Sequence, residues 1–386
     1  MSHFLVMGAG KIGVVLAKDL IESAPGHRVS LVDIDSSRLE AAARFIGSDR
    51  LSIEQKNMED DKEREAVIRG KDVVLNAMLH RHSLPALETA VRCGTHFVDL
   101  VGEAPLARLE YDKEARRNRV IVISGVGVSP GITNVCVGRA VFWLDETHSA
   151  RIYCGGNPVR PRPPLSYRIV YSIDSLLNFY QRPAVIIRNG LIEEIPALSE
   201  VEAIGFGSDF PEMECFFTDG LSSLFHTMRG RIQRDLYEKT VRHRGHGEGF
   251  KTLIDCGLFS REPIAVSGKR VIPREVLESL LGERMRLGDE RDVTLLRIVV
   301  EGLKSGRAQR HAFEMIDYFD QAKRFTSMAK TTGFPASVAA QMIAAGRIVR
   351  RGALFPENVF DGDLYPDFME ALRNRGVVIS HSVVSD

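Results

Sequence analysis

A strand, a glycine-rich turn, a helix, a second strand and an acid follow one another within the first 33 residues, an order that few folds use. Phe4-Leu5-Val6-Met7 has the apolar run of a short buried strand, and Gly8-Ala9-Gly10-Lys11-Ile12-Gly13 follows at once. An apolar periodicity suited to a helix continues to about Glu22. A second strand, Arg28 to Val32, ends on Asp33, 20 positions after Gly13. Each part of such a unit has its own task. Gly8 permits the tight turn, Gly10 has no side chain to hold a pyrophosphate off the backbone, and Gly13 lets the helix pack on the strand. The helix start presents N–H groups to phosphates. The spacing therefore predicts a dinucleotide site built on Gly8, Gly10, Lys11, Ile12 and Gly13. Asp33 favours NAD over NADP, because a carboxylate there accepts from a ribose 2′-hydroxyl and repels a 2′-phosphate. Ile34-Asp35 adds a second acid with no arginine directly after it, and Arg38 falls on a solvated helix face.

Strand-like runs recur near residues 4–7, 28–32, 51–53, 73–78, 97–100 and 120–125, with helical segments between them. Alternation at this spacing means a parallel sheet, here a doubly wound Rossmann unit of about six strands. Ser129-Pro130 reads as a cap and first-turn proline for a helix running to Leu144. After about residue 150 the texture changes. Asn157 to Pro164 is too rich in proline for helix or central strand. Ser267-Gly268-Lys269 and Lys304-Ser305-Gly306 each separate two strand-like runs, which predicts antiparallel hairpins. Helices are expected near Ser172–Tyr180 and Arg274–Leu281, and an alanine-rich one from Pro335 to Ala345, stopped by Gly346. The fold class expected is α/β, with an N-terminal Rossmann domain at 1–130, completed by about 331–386, and a second α+β domain at 131–330.

With 386 residues, 44% hydrophobic, 26% charged and a formal net charge of zero, the chain offers no electrostatic footing for nucleic acid or an anionic membrane. No apolar run approaches the roughly 18–20 residues that span a bilayer. A strand begins at once, with no basic and apolar leader before it, so a cytoplasmic protein is expected. The five cysteines, 93, 136, 154, 215 and 256, are scattered and never form a CxxC pair. Reduced thiols are expected, Cys154 among them as an inert buried one, and no metal site.

Several stretches together carry a resemblance. They are the glycine turn, Asp72-Val73-Val74-Leu75-Asn76-Ala77, Gly127-Val128-Ser129-Pro130-Gly131-Ile132-Thr133-Asn134 and Gly155-Gly156-Asn157-Pro158. Pro163-Pro164-Leu165-Ser166-Tyr167, Ile187-Arg188-Asn189-Gly190 and Thr240-Val241-Arg242-His243-Arg244-Gly245-His246 complete the set. Over nearly its whole length the chain resembles the saccharopine dehydrogenase (reductase-type) family, and within it the L-lysine 6-dehydrogenase branch. The resemblance implies oxidation of the ε-amine of L-lysine with NAD⁺. The product would be α-aminoadipate semialdehyde, which cyclises to piperideine-6-carboxylate as ammonia leaves. It also implies a middle domain that binds substrate and makes a homodimer or larger homo-oligomer.

Such a reaction needs a proton acceptor near the amine and a clamp for the α-carboxylate. Asn76 and Ala77, at the end of one strand, are expected at the nicotinamide half of the cofactor. Asp99 ends another strand and is the expected proton acceptor or counter-ion, with Glu103 as a second carboxylate toward the substrate. Arg242 matches the arginine that the family sets against substrate carboxylates. His246 has an imidazole suited to act as base, and Tyr167 is expected to line the pocket. A rival within the family couples an amine to an aldehyde, giving saccharopine or a carboxylated polyamine. Those substrates carry more carboxylates, for which Arg160, Arg162 and Arg168 are available. A rival of another class is a non-catalytic nucleotide-binding protein that keeps the fold.

Overall fold

In the computed structural model, which describes residues 2–385, eighteen strands are shared between two units. The first unit takes the chain up to Trp143, then Ser222–Arg229 and Ala329–Ile379; the second takes Leu144–Leu221, Gly230–Met328 and the strand from Ser380 onward. The strands in chain order are β1 (Ser2–Met7), β2 (His27–Asp33), β3 (Leu51–Gln55), β4 (Val73–Asn76), β5 (His96–Asp99) and β6 (Ile121–Ser124). Then come β7 (Glu146–Pro158), β8 (Ala184–Arg188), β9 (Leu191–Ile195), β10 (Glu202–Phe206), β11 (Phe210–Phe217) and β12 (Ile232–His243). The last six are β13 (Ile264–Val266), β14 (Lys269–Val271), β15 (Asp292–Lys304), β16 (Arg307–Tyr318), β17 (Gly352–Leu354) and β18 (Ser380–Ser385).

The first unit is built on a seven-stranded sheet in the order β17-β6-β5-β4-β1-β2-β3, parallel at every pairing. β4 and β6 are buried along their whole length, as strands covered on both faces must be, and so carry unbroken apolar runs rather than alternation. The helices that cover the sheet start and stop on local signals. Asp35 and Asp60 cap the starts of Ser36–Ile46 and Asp61–Ile68 by accepting from backbone N–H groups. Gly47 ends the first of these helices and Gly94 ends Ser83–Cys93, both in the left-handed conformation. The order reverses between β1 and β4, which opens a crevice beyond the carboxyl ends of those two strands.

The second unit is a nine-stranded sheet, with β10-β11-β12-β7-β15-β16-β18 as its main path and β8-β9 attached to β12. Its pairings are antiparallel except β12 with β7. The β15–β16 hairpin pairs twelve residues on each side, and its turn residues Ser305 and Gly306 both have positive φ, as a two-residue hairpin turn requires. Tyr167, Leu176, Leu177, Tyr180, Phe216, Phe250, Leu277 and Leu281 form a core under this unit's helices.

Several boundaries differ from expectation. The first unit ends after Trp143, because helix Ile132–Trp143 belongs to it, and residues 222–229 return to it. Ser222 donates from Oγ to the Gly102 carbonyl, and Ser223 and Thr227 join buried groups of the same unit. The final strand is not part of the first sheet but pairs with β16 in the second. Asn157 and Pro158 end a strand instead of starting a loop. The alanine-rich helix begins at Ser327, not Pro335, since Asp292 accepts from the N–H groups of Ser327 and Met328 and fixes its start. All five cysteines are unpaired, and among the described residues no helix is long and apolar enough to cross a membrane.

Candidate functional site

The glycine turn lies at the head of the first unit's crevice. Gly8 has φ +103°, and a side chain there would begin 2.9 Å from the Ala77 carbonyl oxygen. A Cβ on Gly13 would fall 1.8 Å from the Gly8 carbonyl oxygen, so helix α1 (Lys11–Ser23) rests directly on the turn. Gly10 is different. Nothing lies within 4 Å of where its Cβ would be. Gly8 and Gly13 are required by packing, whereas at Gly10 the missing side chain leaves open space at a helix N-terminus that no side chain caps. That is the cradle a pyrophosphate needs, and a pyridine dinucleotide fits it. Lys11 is exposed and Ile12 half-buried at the same helix start. Asp33 contributes to the turn as well: its carboxylate accepts from Ala9 N–H at 2.7 Å and from Asp35 N–H at 2.9 Å.

The two glycine types predict different failures. Gly13→Ala forces backbone apart and lowers the melting temperature together with dinucleotide affinity. Gly10→Ala meets no atom, leaves the melting temperature within experimental scatter, and weakens dinucleotide binding about tenfold or more. Thermal unfolding and fluorescence titration with NADH separate the two.

The acids at the strand ends are arranged otherwise than expected. Asp99 is 0% exposed and its oxygens are fully engaged. They accept from Asn76 Nδ2 at 2.9 Å, Val101 N–H at 3.0 Å, the Ser83 hydroxyl, and Arg108 Nη2 at 3.1 Å. Arg108 is itself 2% exposed and also holds the carbonyls of Glu103 and Ala104. Asp99 is therefore a neutralised structural anion, not a base facing an amine. Asn76 is equally committed, its Oδ1 accepting from Met78 N–H, so its side chain is not presented to a cofactor. Ala77 donates from its N–H to the Met7 carbonyl at 2.9 Å, and its own carbonyl lies against Gly8 of the glycine turn. Glu103 is half-buried on the segment that Arg108 fastens.

Next to these, Gly127 N–H closes a turn on the Pro130 carbonyl at 2.8 Å. Asn134 steadies it, accepting from Gly131 N–H and donating to Ser223 Oγ and Glu357 Oε2. Glu357 also accepts from Thr227, and burial pushes its carboxyl up from the ordinary value. Asn134 closes one of the stretches that carry the resemblance, but Thr227 and Glu357 do not stand out in the sequence, where Asn134 and Glu357 are 223 positions apart.

The second unit gathers Tyr167, Arg242 and His246. Arg242, on β12, is 2% exposed. Its Nε donates to Tyr180 Oη at 3.0 Å, its Nη1 to the Val241 carbonyl at 2.8 Å, and the Tyr167 ring lies 5.0 Å from its Cζ. Tyr171 is a further tyrosine close enough to the same guanidinium for each to shift the other's pKa. Among the described residues no carboxylate lies within ion-pairing distance of Arg242. A buried cation without an anion is costly unless a ligand supplies one. His246 is 0% exposed, stacked on Phe216 and edge-on to Tyr167. Both ring nitrogens are bonded, to the Leu165 carbonyl at 2.9 Å and Tyr180 Oη at 2.8 Å. Burial first, and then the charge of Arg242, hold its pKa well below the ordinary value. A fully enclosed imidazole with both nitrogens taken is not placed as the expected base. Glu214 fixes the helix that carries it, accepting from Gly245 and Gly247 N–H. Of the arginines put forward for extra carboxylates, Arg162 and Arg168 share Glu290 at 2.9 and 3.1 Å, and Arg160 is exposed.

The sequence model of the saccharopine dehydrogenase NADP binding domain matches residues 4–123, and that of the saccharopine dehydrogenase C-terminal domain matches residues 127–377. The chain belongs to the saccharopine dehydrogenase family. Among its saccharopine dehydrogenase relatives, the NADP⁺, L-glutamate-forming enzymes of Saccharomyces cerevisiae and Schizosaccharomyces pombe are each 21% identical over 464 aligned residues. Those alignments cover 99% and 100% of this chain, and equal shares of the relatives. The solved structure of the S. cerevisiae saccharopine dehydrogenase covers 100% of both chains with a TM-score of 0.82 at 20% identity, which establishes a common fold. This member of the family is an oxidoreductase with a pyridine-dinucleotide-binding domain.

Proposed function

We propose that the protein oxidises the ε-amine of L-lysine, with NAD⁺ as acceptor and α-aminoadipate semialdehyde, cyclising to piperideine-6-carboxylate, as product. The observation that carries this reading is Arg242, a buried guanidinium with no carboxylate partner among the described residues. An amino-acid carboxylate supplies the missing anion, and the planar fork suits it. One such clamp matches a substrate with one carboxylate, while Arg162 and Arg168 are already neutralised by Glu290.

The overall change consumes lysine, NAD⁺ and water and yields the semialdehyde, NADH, ammonium and a proton. A bound nicotinamide supplies the hydride-accepting carbon. This chain's own groups bind and orient. The turn around Gly10 receives the pyrophosphate, Asp33 reads the ribose, and Arg242 fixes the substrate's carboxylate end. Neither Asp99 nor His246 is proposed as the base. The reading includes a homodimer or larger homo-oligomer working in the cytoplasm.

The second reading is saccharopine cleavage or synthesis with NADP, favoured by the activity for which the fungal relatives are named and by the name of the matching nucleotide domain. Absorbance at 340 nm, with L-lysine, saccharopine, ornithine, diaminopimelate and putrescine against NAD⁺ and NADP⁺, decides. Turnover of lysine with NAD⁺ and release of ammonia is expected; turnover of saccharopine alone moves the protein to the second reading. Asp33→Asn is expected to narrow the NAD⁺ preference about tenfold, since the carboxylate charge is what repels a 2′-phosphate.

A further inference from the structure

We infer that Tyr180 and His246 are positioning residues that set the orientation of the Arg242 fork and thereby make the site selective for substrates with an α-carboxylate; this rests on Arg242 binding that carboxylate. Hydrogen-bond direction carries the argument. The Leu165 carbonyl only accepts, so the nitrogen facing it, His246 Nδ1, must bear the hydrogen. In a neutral ring Nε2 is then bare and accepts, so the hydrogen between it and Tyr180 belongs to the tyrosine. The single hydroxyl hydrogen of Tyr180 is thereby spent, and its oxygen turns a lone pair to Arg242 Nε–H. Donation runs one way, from Arg242 through Tyr180 and His246 to the Leu165 carbonyl. A protonated His246 reverses the middle bond, and burial together with the charge of Arg242 keeps the ring neutral.

The geometry leaves Arg242 little freedom. Nε is held by Tyr180, Nη1 by the Val241 carbonyl, and one face by the Tyr167 ring. The fork then meets a ligand through its Nη atoms alone. The rings of Phe216, Phe250 and Tyr167 pack around His246 and stop it from turning away from Tyr180. Such a shell is what separates a guanidinium that tolerates anions from one that selects a carboxylate in one pose.

The test compares wild type, Arg242→Ala, Tyr180→Phe, His246→Gln and His246→Leu, with L-lysine and with cadaverine, which is lysine without its carboxylate. For Tyr180→Phe the KM for lysine is expected to rise roughly 10- to 100-fold, with kcat changed about threefold or less and kcat/KM for cadaverine unchanged. His246→Gln keeps an acceptor near the Nε2 position and is expected to retain most of the lysine preference; His246→Leu loses it as Tyr180→Phe does. Loss of stability alone lowers activity on both substrates together and leaves their ratio intact. Thermal unfolding of each variant identifies any that fails to fold, and the other Tyr180 or His246 variant then carries the test. A Tyr180→Phe enzyme that folds and keeps the wild-type lysine-to-cadaverine ratio overturns the inference. So does a His246→Gln enzyme whose kcat falls about 100-fold or more with the acid limb of its pH profile removed, which makes His246 the base. If wild type itself does not prefer lysine and Arg242→Ala changes nothing, the carboxylate reading of Arg242 has failed instead.

Discussion

Arg242→Ala is expected to lower kcat/KM for L-lysine about 10²- to 10³-fold. Removing one member of a desolvated charge pair costs roughly 2–5 kcal/mol, and each 1.4 kcal/mol is tenfold. Most of the loss belongs in KM, because the carboxylate lies remote from the carbon that is oxidised. Arg242→Lys keeps the charge but neither the fork nor the simultaneous bonds to Tyr180 and Val241, and should recover only part of the loss. The free protein behaves in the opposite sense. The wild-type guanidinium is buried without an anion among the described residues, so its removal is expected to cost little stability. A variant that melts at a clearly lower temperature yet binds lysine normally while folded would show that Arg242 serves packing against Tyr167. Steady-state kinetics and a melting curve on one preparation distinguish the cases.

Asp99 is the converse. Asp99→Ala leaves Arg108 as an uncompensated charge at 2% exposure, and breaking a buried pair in that way costs about 3–5 kcal/mol. At about 2–4 °C per kcal/mol for a unit of this size, the melting temperature should fall by roughly 10 °C. Asp99→Asn preserves shape and removes the charge, so it asks the catalytic question separately. The folded fraction should retain kcat within about fivefold and an unaltered pH profile, whereas the loss of a general base costs about 10²–10⁴. A stable Asp99→Asn protein that is catalytically dead would restore Asp99 to the reaction.

What the sequence reveals of such a site depends on how local the cause is. The glycine turn is legible because three backbone demands fall within six residues and the acid comes one β-α-β unit later. The hairpin around Ser305-Gly306 is legible for a similar reason, since its turn chemistry is written in two residues. The role of Asp99 is not. An acid closing a buried strand looks the same whether its carboxylate meets a substrate or turns inward, and the deciding partner, Arg108, sits on a short helix with no periodic signal. Arg242 is singled out by family resemblance, but its lack of an anion is a property of three-dimensional neighbours. Tyr180, 62 positions earlier, reads only as the end of a helix. The start of the helix at Ser327 fails for a related reason: Asp292, 35 positions away, supplies its cap.

The short strand β17 has a consequence for how the chain is made. It pairs with β6 at the edge of the first sheet, yet β6 ends at Ser124 and β17 begins at Gly352. On a ribosome adding about 5–20 residues per second, the edge of β6 emerges some ten to forty seconds before its partner exists. During that interval the nascent first unit presents an apolar strand, Ile121-Val122-Ile123, with an unpaired margin. Expression yield should therefore respond to translation speed and to chaperones that cover strand edges. Any shortening of the gene from its 3′ end that removes β17 should leave a first unit prone to aggregate, even though every residue of the dinucleotide turn is already in place.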